Sequence, residues 1–295
     1  MNRMHNSAPE KNRFSSQSVL VDKLLRNALS EDIGSGDITT SSIVPEEDIS
    51  EALIIAKEDF ILAGINFAGR TFKLVNREVK FKAMKRDGSR IRRGTVIAEI
   101  KGDTRSLLMA ERTALNLLQR LCGIATLTSK FVERVAGLPV KILDTRKTTP
   151  GLRYFEKYAV KTGGGCNHRY GLFDGLLIKD NHIAAAGGLK KAVKLARSGG
   201  DNLFKLEVEA GSIKEVKEAL SSGADIIMLD NMSVDEMINA VKIIRSRKTD
   251  VIIEASGNVD LENVRVIAET GVDMISVGAL THSAPASDIS MKIRR

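Results

Sequence analysis

Residues 204–256 read FKLEVEAGSIKEVKEALSSGADIIMLDNMSVDEMINAVKIIRSRKTDVIIEAS. Three short apolar runs (204–208, 226–229 and 251–253) are separated by two stretches of helical period, 213–220 and 234–245. Strands that alternate with helices in this way pair in parallel, because each helix carries the chain back to the same end of the sheet by a right-handed crossover. The pattern extends in both directions. Upstream lie apolar runs at 140–143 and 176–178 and a helical stretch at 189–197; downstream lie a helical stretch at 261–270 and a run at 274–277. Six strands with interleaved helices predict an α/β fold of the incomplete TIM-like barrel kind, short of eight units. An open doubly wound sheet is the alternative, but no GxGxxG follows the first strand.

The texture before residue 140 is different. Val19, Leu20, Lys23, Leu24, Asn27 and Ala28 suggest one amphipathic helix, and residues 31–40, rich in Gly, Asp, Ser and Thr, a loop. Strands are expected at 52–57, 79–85 and 95–100, with Asp87-Gly88 as a turn. A long helix over 104–121 has Leu107, Leu108, Ala114, Leu115, Leu118 and Leu121 on its apolar face. Arg105, Arg112, Asn116 and Gln119 form a polar stripe along it. The expected division is a polar tail at 1–16, a small α/β domain at 17–123 that includes part of the long helix, and the barrel at 124–295. The last residues are expected to pack back on the first domain.

Composition narrows the function. Hydrophobic residues make up 43% and charged residues 28%, enough to fill a core. The formal net charge is +8, which fits a basic surface or an anionic partner. Aromatics are only 4%, with no Trp, so nucleic-acid binding by base stacking is poorly supported. Cys122 and Cys166 form neither a CxxC pair nor a metal spacing, as in a reduced intracellular chain. No signal peptide and no run of about 20 apolar residues is present, so the expectation is a cytoplasmic protein without membrane partners.

In such barrels the chemistry sits at the C-terminal ends of the strands. Reading just past each run gives Asp144-Thr145-Arg146-Lys147, Lys179-Asp180-Asn181-His182, Glu209, Asp230-Asn231, Ser256-Gly257-Asn258 and Gly278-Ala279. Nearly all supply a cation, a carboxylate or a glycine-bearing turn able to cradle phosphate. Cations crowd the early part: Arg146, Lys147, Arg153, Lys157, Lys161, Arg169 and Lys179, with His168 beside them. Lys157 and Lys161 lie at i, i+4 on an expected helix and read as a solvated face; Arg146, Lys147 and Lys179 end apolar strands and do not. Gly163-Gly164-Gly165 before His168-Arg169 reads as a functional loop. No Cys or His stands at zinc-ligand spacing from His168, and Cys166 reads as a small buried thiol. No nucleophile–base pair is evident. The set suits a multiply anionic substrate and a reaction run by positioning and charge.

At these residues the chain resembles the quinolinate phosphoribosyltransferase family. The stretches that carry the likeness are Ala110-Glu111-Arg112-Thr113-Ala114-Leu115-Asn116, Asp144-Thr145-Arg146-Lys147-Thr148-Thr149-Pro150-Gly151, Asn167-His168-Arg169 and Leu177-Ile178-Lys179-Asp180-Asn181-His182. It spans about residues 18–293. The resemblance implies an N-terminal α/β sandwich domain before an incomplete α/β barrel, in homodimers or larger assemblies with shared sites. It implies transfer of phosphoribose from phosphoribosyl pyrophosphate to quinolinate with loss of CO2, giving nicotinate mononucleotide. Arg112 would reach the partner's site, and Thr145, Arg146, His168 and Arg169 would bind quinolinate. Lys147, Lys179, Glu209 and Asp230 would be catalytic and serve phosphoribosyl pyrophosphate. Ser256, Gly257, Asn258, Gly278 and Ala279 would take the 5′-phosphate. Mg²⁺ is the implied cofactor, held through the substrate's pyrophosphate, with Glu209 and Asp230 as candidate direct ligands. Three rival readings are a related phosphoribosyltransferase acting on another heterocycle, an aldolase-like barrel using Lys179 as a Schiff base, and a non-enzymatic nucleic-acid binder suggested by the charge, against which the cations clustered at strand ends and the scarce aromatics argue.

Overall fold

The computed structural model describes residues 15–199, 204–247 and 250–294. The polar tail, but for its last two residues, lies outside them. In chain order the elements are α1 (Ser15–Ile33), α2 (Ile38–Ile43), β1 (Ile49–Ala56), β2 (Phe60–Ile61), α3 (Ile65–Val75), β3 (Lys80–Ala83), β4 (Arg90–Ile91), β5 (Val96–Asp103) and α4 (Thr104–Arg134). There follow β6 (Lys141–Leu143), α5 (Arg153–Thr162), β7 (Leu176–Ile178), α6 (Asp180–Ala186), α7 (Leu189–Gly199), β8 (Leu206–Ala210) and α8 (Ile213–Ser221). The chain ends with β9 (Ile226–Asp230), α9 (Val234–Arg247), β10 (Ile252–Ser256), α10 (Val264–Glu269), β11 (Met274–Ser276), α11 (Ala279–His282) and β12 (Ile289–Arg294).

Two compact units result. The first comprises Met1–Asp59, Gly64–Gln119 and Ser287–Arg295; the second comprises Phe60–Ala63 and Arg120–Ala286. The first is an α/β sandwich. Its antiparallel sheet runs in the order β12-β1-β5-β3, so the last strand of the chain pairs with the first. Helix α3 lays Ile65, Ala68 and Phe72 inward. Phe81 on β3 packs against Phe72 at 5.9 Å between ring centroids. Gly69 leaves room for that ring, since a Cβ there would stand 2.7 Å from it. In α1 the buried residues are Val21, Leu25 and Leu29, while Val19 is 70% exposed. The expected helix forms, but its inward face is the i, i+4, i+8 row of Val21 rather than the face through Val19 and Leu20.

The second unit is the barrel. Six strands run parallel in the order β6-β11-β10-β9-β8-β7. Strands β6 and β7 are neighbours in sequence but sit at the two ends of this order. On the free side of β6, among the described residues, Cys166 alone bridges: its N–H donates to the Ile142 carbonyl, and its carbonyl accepts from Asp144 N–H. The ring is therefore interrupted between Cys166 and β7, which is what makes the barrel incomplete.

Three expectations change here. Helix α4 has 31 residues and runs well past position 121. The Gly163-Gly164-Gly165 stretch is a packing device. A Cβ at Gly163 would stand 2.4 Å from the Ala125 carbonyl of α4, one at Gly165 would stand 2.8 Å from the Thr128 methyl, and Gly164 has a φ of 92°. Cys122 is the buried thiol, whereas Cys166 is half-buried.

Candidate active site

Strand ends on one rim of the barrel surround a cavity of about 600 Å³. Each strand contributes from its last residues, because inward-pointing positions recur every second residue and only the uppermost reach the opening. Thr145, Arg146 and Lys147 follow β6; Lys179 follows β7; Glu209 and Asp230 lie at the ends of β8 and β9. Ser256, Gly257 and Asn258 come from the end of β10, and Gly278 and Ala279 follow β11. His168 and Arg169 enter past the Cys166 bridge. Arg112 is exposed on α4 and is not among the lining residues. Sequence reasoning missed His282 on the rim and Leu177, Met228, Glu254 and Ser276 deeper down.

Arg146 and Arg169 aim like charges into this space. The Nε atoms of both are buried and have no partner. Arg169 also donates to the Gly175 carbonyl at 2.9 Å. Burial, and then the neighbouring Arg146 charge, lowers its pKa. Two half-buried guanidinium groups, each with a buried Nε donor unused, call for an anion with more than one acceptor group.

Behind them stands a scaffold. Asp144 is fully buried, and it accepts from Lys157 Nζ, from Asn167 Nδ2 at 2.6 Å and from His168 N–H at 2.9 Å. Lys157 is only 3% exposed and also donates to the His168 carbonyl at 3.0 Å. Burial pushes the Asp144 carboxyl up and the Lys157 ammonium down, each against the pull of the other. The reading of Lys157 as a solvated helix face is thus overturned, while Lys161 is exposed as expected. Arg153 bonds Thr148 Oγ1 and the Tyr170 carbonyl, bracing the loop that carries Arg146. Buried Glu156 pairs with Arg120 at 2.9 Å and accepts from Thr149 N–H, fixing the other side of that loop.

His168 has both ring nitrogens engaged. Nδ1 accepts from Arg169 N–H at 2.8 Å, and Nε2 lies 3.1 Å from Glu207 and 3.6 Å from Glu254. These partners assign the Nε2–H tautomer. The ring is pulled two ways. Burial favours the neutral form, but the Glu207 hydrogen bond and the charges of Glu254 and Glu207 outweigh it and raise the imidazole pKa. Glu254 is pushed up to about 7, first by burial and then by the charge of Glu207.

On the opposite side Lys179 Nζ pairs with Glu209 at 2.6 Å. An ion-paired, half-exposed ammonium is a poor Schiff-base nucleophile, which speaks against the aldolase reading. Asn231 locks two strand ends together: its N–H donates to the Ser256 carbonyl at 2.9 Å, and its Oδ1 accepts from Asn258 Nδ2 at 3.1 Å. Only glycine fits at 257, where φ is 96° and a Cβ would stand 2.2 Å from Asn231 Oδ1. A Cβ at Gly278 would meet His282 at 3.0 Å and Lys147 at 3.2 Å. These two turns bring bare backbone to the cavity wall. Helix α11 behind Gly278 has only four residues, so its dipole adds little there.

Both units match one family along nearly their whole length. Residues 37–122 fit the profile of the quinolinate phosphoribosyl transferase N-terminal domain, and residues 124–292 fit that of the C-terminal domain. The chain belongs to the quinolinate phosphoribosyl transferase family. It is 44% identical to a probable carboxylating nicotinate-nucleotide pyrophosphorylase of Synechocystis sp., over 94% of each chain. It is 45% identical to the Bacillus subtilis protein so described, over 92% of each. Among solved structures, NadC from Streptococcus pyogenes superposes with a TM-score of 0.88 at 43% identity, covering 94% of this chain and 97% of that one. The nicotinate-nucleotide pyrophosphorylase of Francisella tularensis gives 0.88 at 41% identity, covering 98% and 100%. Membership of this family and the open barrel with its sandwich domain agree with the expectation from the sequence.

Proposed function

We propose that the chain transfers phosphoribose from phosphoribosyl pyrophosphate to quinolinate and releases CO2 and pyrophosphate, giving nicotinate mononucleotide in de novo NAD biosynthesis. The observation that carries the reading is the pair of buried, unpartnered guanidinium Nε atoms of Arg146 and Arg169 in one cavity. A pyridine dicarboxylate supplies an acceptor for each; Thr145 adds a hydroxyl beside them, and His168 holds Arg169 in place through its backbone N–H.

The sugar phosphate takes the other wall. Ser256, Gly257, Asn258, Gly278 and Ala279 accept the 5′-phosphate, and Lys147 and Lys179 face the pyrophosphate. The ring nitrogen of quinolinate displaces pyrophosphate at the ribose carbon through a cation-like transition state. Arg146 and Arg169 fix the ring, which turns a bimolecular encounter into a positioned one. Glu209 and Asp230 lie where ribose hydroxyls or a metal would be held. Asp230 accepts from Asn231 at 2.8 Å, and Glu209 gives one oxygen to Lys179, so each carboxylate retains acceptor capacity. With their spare oxygens, Glu209 and Asp230 would hold a Mg²⁺ ion. When bound, it neutralises charge on the leaving pyrophosphate. Once the ring nitrogen is quaternary, the C2 carboxylate leaves as CO2.

The active form in this reading is a cytoplasmic homodimer or larger assembly in which Arg112 completes the neighbour's site. It is supported by the exposure of Arg112 on a helix whose Ala110, Ala114, Leu115 and Leu118 are buried. Among the described residues no helix is long and apolar enough to cross a membrane. The test is direct. Protein, Mg²⁺, phosphoribosyl pyrophosphate and quinolinate are expected to give nicotinate mononucleotide and CO2, with nicotinate turned over roughly ten- to a hundred-fold less well because one arginine keeps a buried donor unpaired. Comparable kcat/KM for the two acids sinks the two-carboxylate reading.

A further inference from the structure

The floor of the cavity holds an acid that substrate binding does not use. Glu254 sits two residues below Ser256 on β10, on the same inward face, with no exposure to solvent. Neither of its carboxyl oxygens has a hydrogen-bond partner. The rest of the floor, Leu177, Met228 and Ser276, contains no titratable group. Glu254 also lines a second cavity of about 340 Å³, shared with His168, Arg169 and Glu207. This lower cavity reaches solvent past Asp174, Phe204 and Lys205, which are exposed. Glu254 thus stands between the site and a separate opening to water.

Decarboxylation leaves a need that such an acid meets. We propose that Glu254 is the proton donor that replaces the departing carboxylate at C2 and that it is recharged by water through the lower cavity. This rests on the reaction proposed above. The C2–carboxylate bond breaks, CO2 leaves, and the bonding pair stays on C2. That pair takes the proton from the Glu254 carboxyl, forming the C2–H bond and a Glu254 carboxylate. Water in the lower cavity returns the proton, while bound substrates close the upper route.

The surroundings favour a carboxyl that carries its proton. Burial comes first, and Glu207 on β8 faces it with like charge; Met228 on β9 brings no charge; His168, the Ser276 hydroxyl on β11 and Lys179 pull the other way. The balance holds it at about 7, so the acid form is well populated near neutrality and lost above it. His168 is a poorer donor, since Nδ1 is occupied by Arg169 N–H and Nε2 faces the two glutamates.

The experiment is Glu254→Gln in the full chain, with kcat and quinolinate KM measured from pH 5.5 to 8.5 beside wild type. The amide keeps the shape but gives no proton. Expected are a decline in wild-type kcat above pH ~7, and in the variant a fall in kcat of about 100-fold or more, a quinolinate KM within about threefold of wild type, and loss of that decline. A kcat within about fivefold of wild type overturns the proposal. So does a loss that resides in KM, or a fall in kcat that keeps the wild-type pH profile, which assigns the proton to Lys147 or Lys179. If Glu254→Gln does not fold, Glu254→Asp is read the same way and is expected to lower kcat while keeping the decline at high pH; unchanged kcat overturns the proposal. Wild type that makes no nicotinate mononucleotide refutes the parent reaction instead, so the two failures are distinct.

Discussion

Arg146 and Arg169 reach one cavity with the same charge and with Nε donors that no protein group satisfies, whereas Gly278 offers that cavity only backbone. The two kinds of residue therefore act on different ligands. Losing a charge-assisted hydrogen bond costs about 1.5–3 kcal/mol, or roughly ten- to a hundred-fold in affinity. Arg169→Ala is expected to weaken quinolinate binding by that factor and leave phosphoribosyl pyrophosphate affinity nearly intact. Gly278→Val is expected to do the reverse, because its side chain would press on His282 and Lys147 where phosphate must approach. Titration calorimetry of each folded variant with each ligand decides it, and equal loss of both ligands in both variants would refute the division. At this scale the rim was legible because charged residues that end apolar runs have few structural reasons to be there. Glu207 and Glu254 lie inside or directly against the apolar runs rather than past them, where a barrel's site residues are expected. The signal was present: Glu254 interrupts the run Ile252-Ile253-Glu254-Ala255, and a carboxyl inside a buried strand is costly enough to demand a reason.

The most deeply buried tie between β6 and α5 is an ion pair. Asp144 ends the strand, Lys157 stands on the helix, and Asn167 and His168 hang from the same carboxylate. Removing only the lysine would leave a buried carboxylate without its cation, at a cost of about 3–5 kcal/mol. Lys157→Met is therefore expected to lower unfolding stability by that amount in a denaturant titration. Pairing it with Asp144→Asn should recover part of the loss; strict additivity of the two substitutions would show that the groups do not depend on each other. Periodicity could not foresee this. Lys157 and Lys161 lie one turn apart on α5, and burial separates them only because the loop of Cys166–Arg169 covers one and not the other. The six barrel strands and β1, β3 and β5 were placed within three residues of the observed bounds because apolar runs between turn signals are hard to mistake, whereas the two-residue strands β2 and β4 and the terminal β12 were not foreseen. Helices α6 and α11, of seven and four residues, are too short to show a period. The inward face of α1 was misjudged because Val19 and Leu20 are apolar yet lie near its first turn, where the row through Val21 is the one that packs.

For the assembled protein, a site shared between subunits has a plain signature. Arg112→Ala and Lys179→Ala, each inactive alone, are expected to regain activity when mixed under subunit exchange, because a hybrid dimer carries one intact site. No recovery despite demonstrated exchange would place Arg112 outside any site. The alternation of runs and helices made the barrel readable as a whole, but not its gap, since nothing in the composition of 163–176 announces that Cys166 makes a lone bridge to β6. The pairing of β12 with β1 bears on how the chain matures. On the ribosome the N-terminal half of the sandwich emerges first, yet β1 remains an edge strand until residues 289–294 follow, some 230 positions later. Sequence separation that large makes the pairing slow to find. The barrel strands, all contained between positions 141 and 276, can assemble before the sheet that precedes them is complete. Of the two units, the one translated earlier is the later to close its sheet.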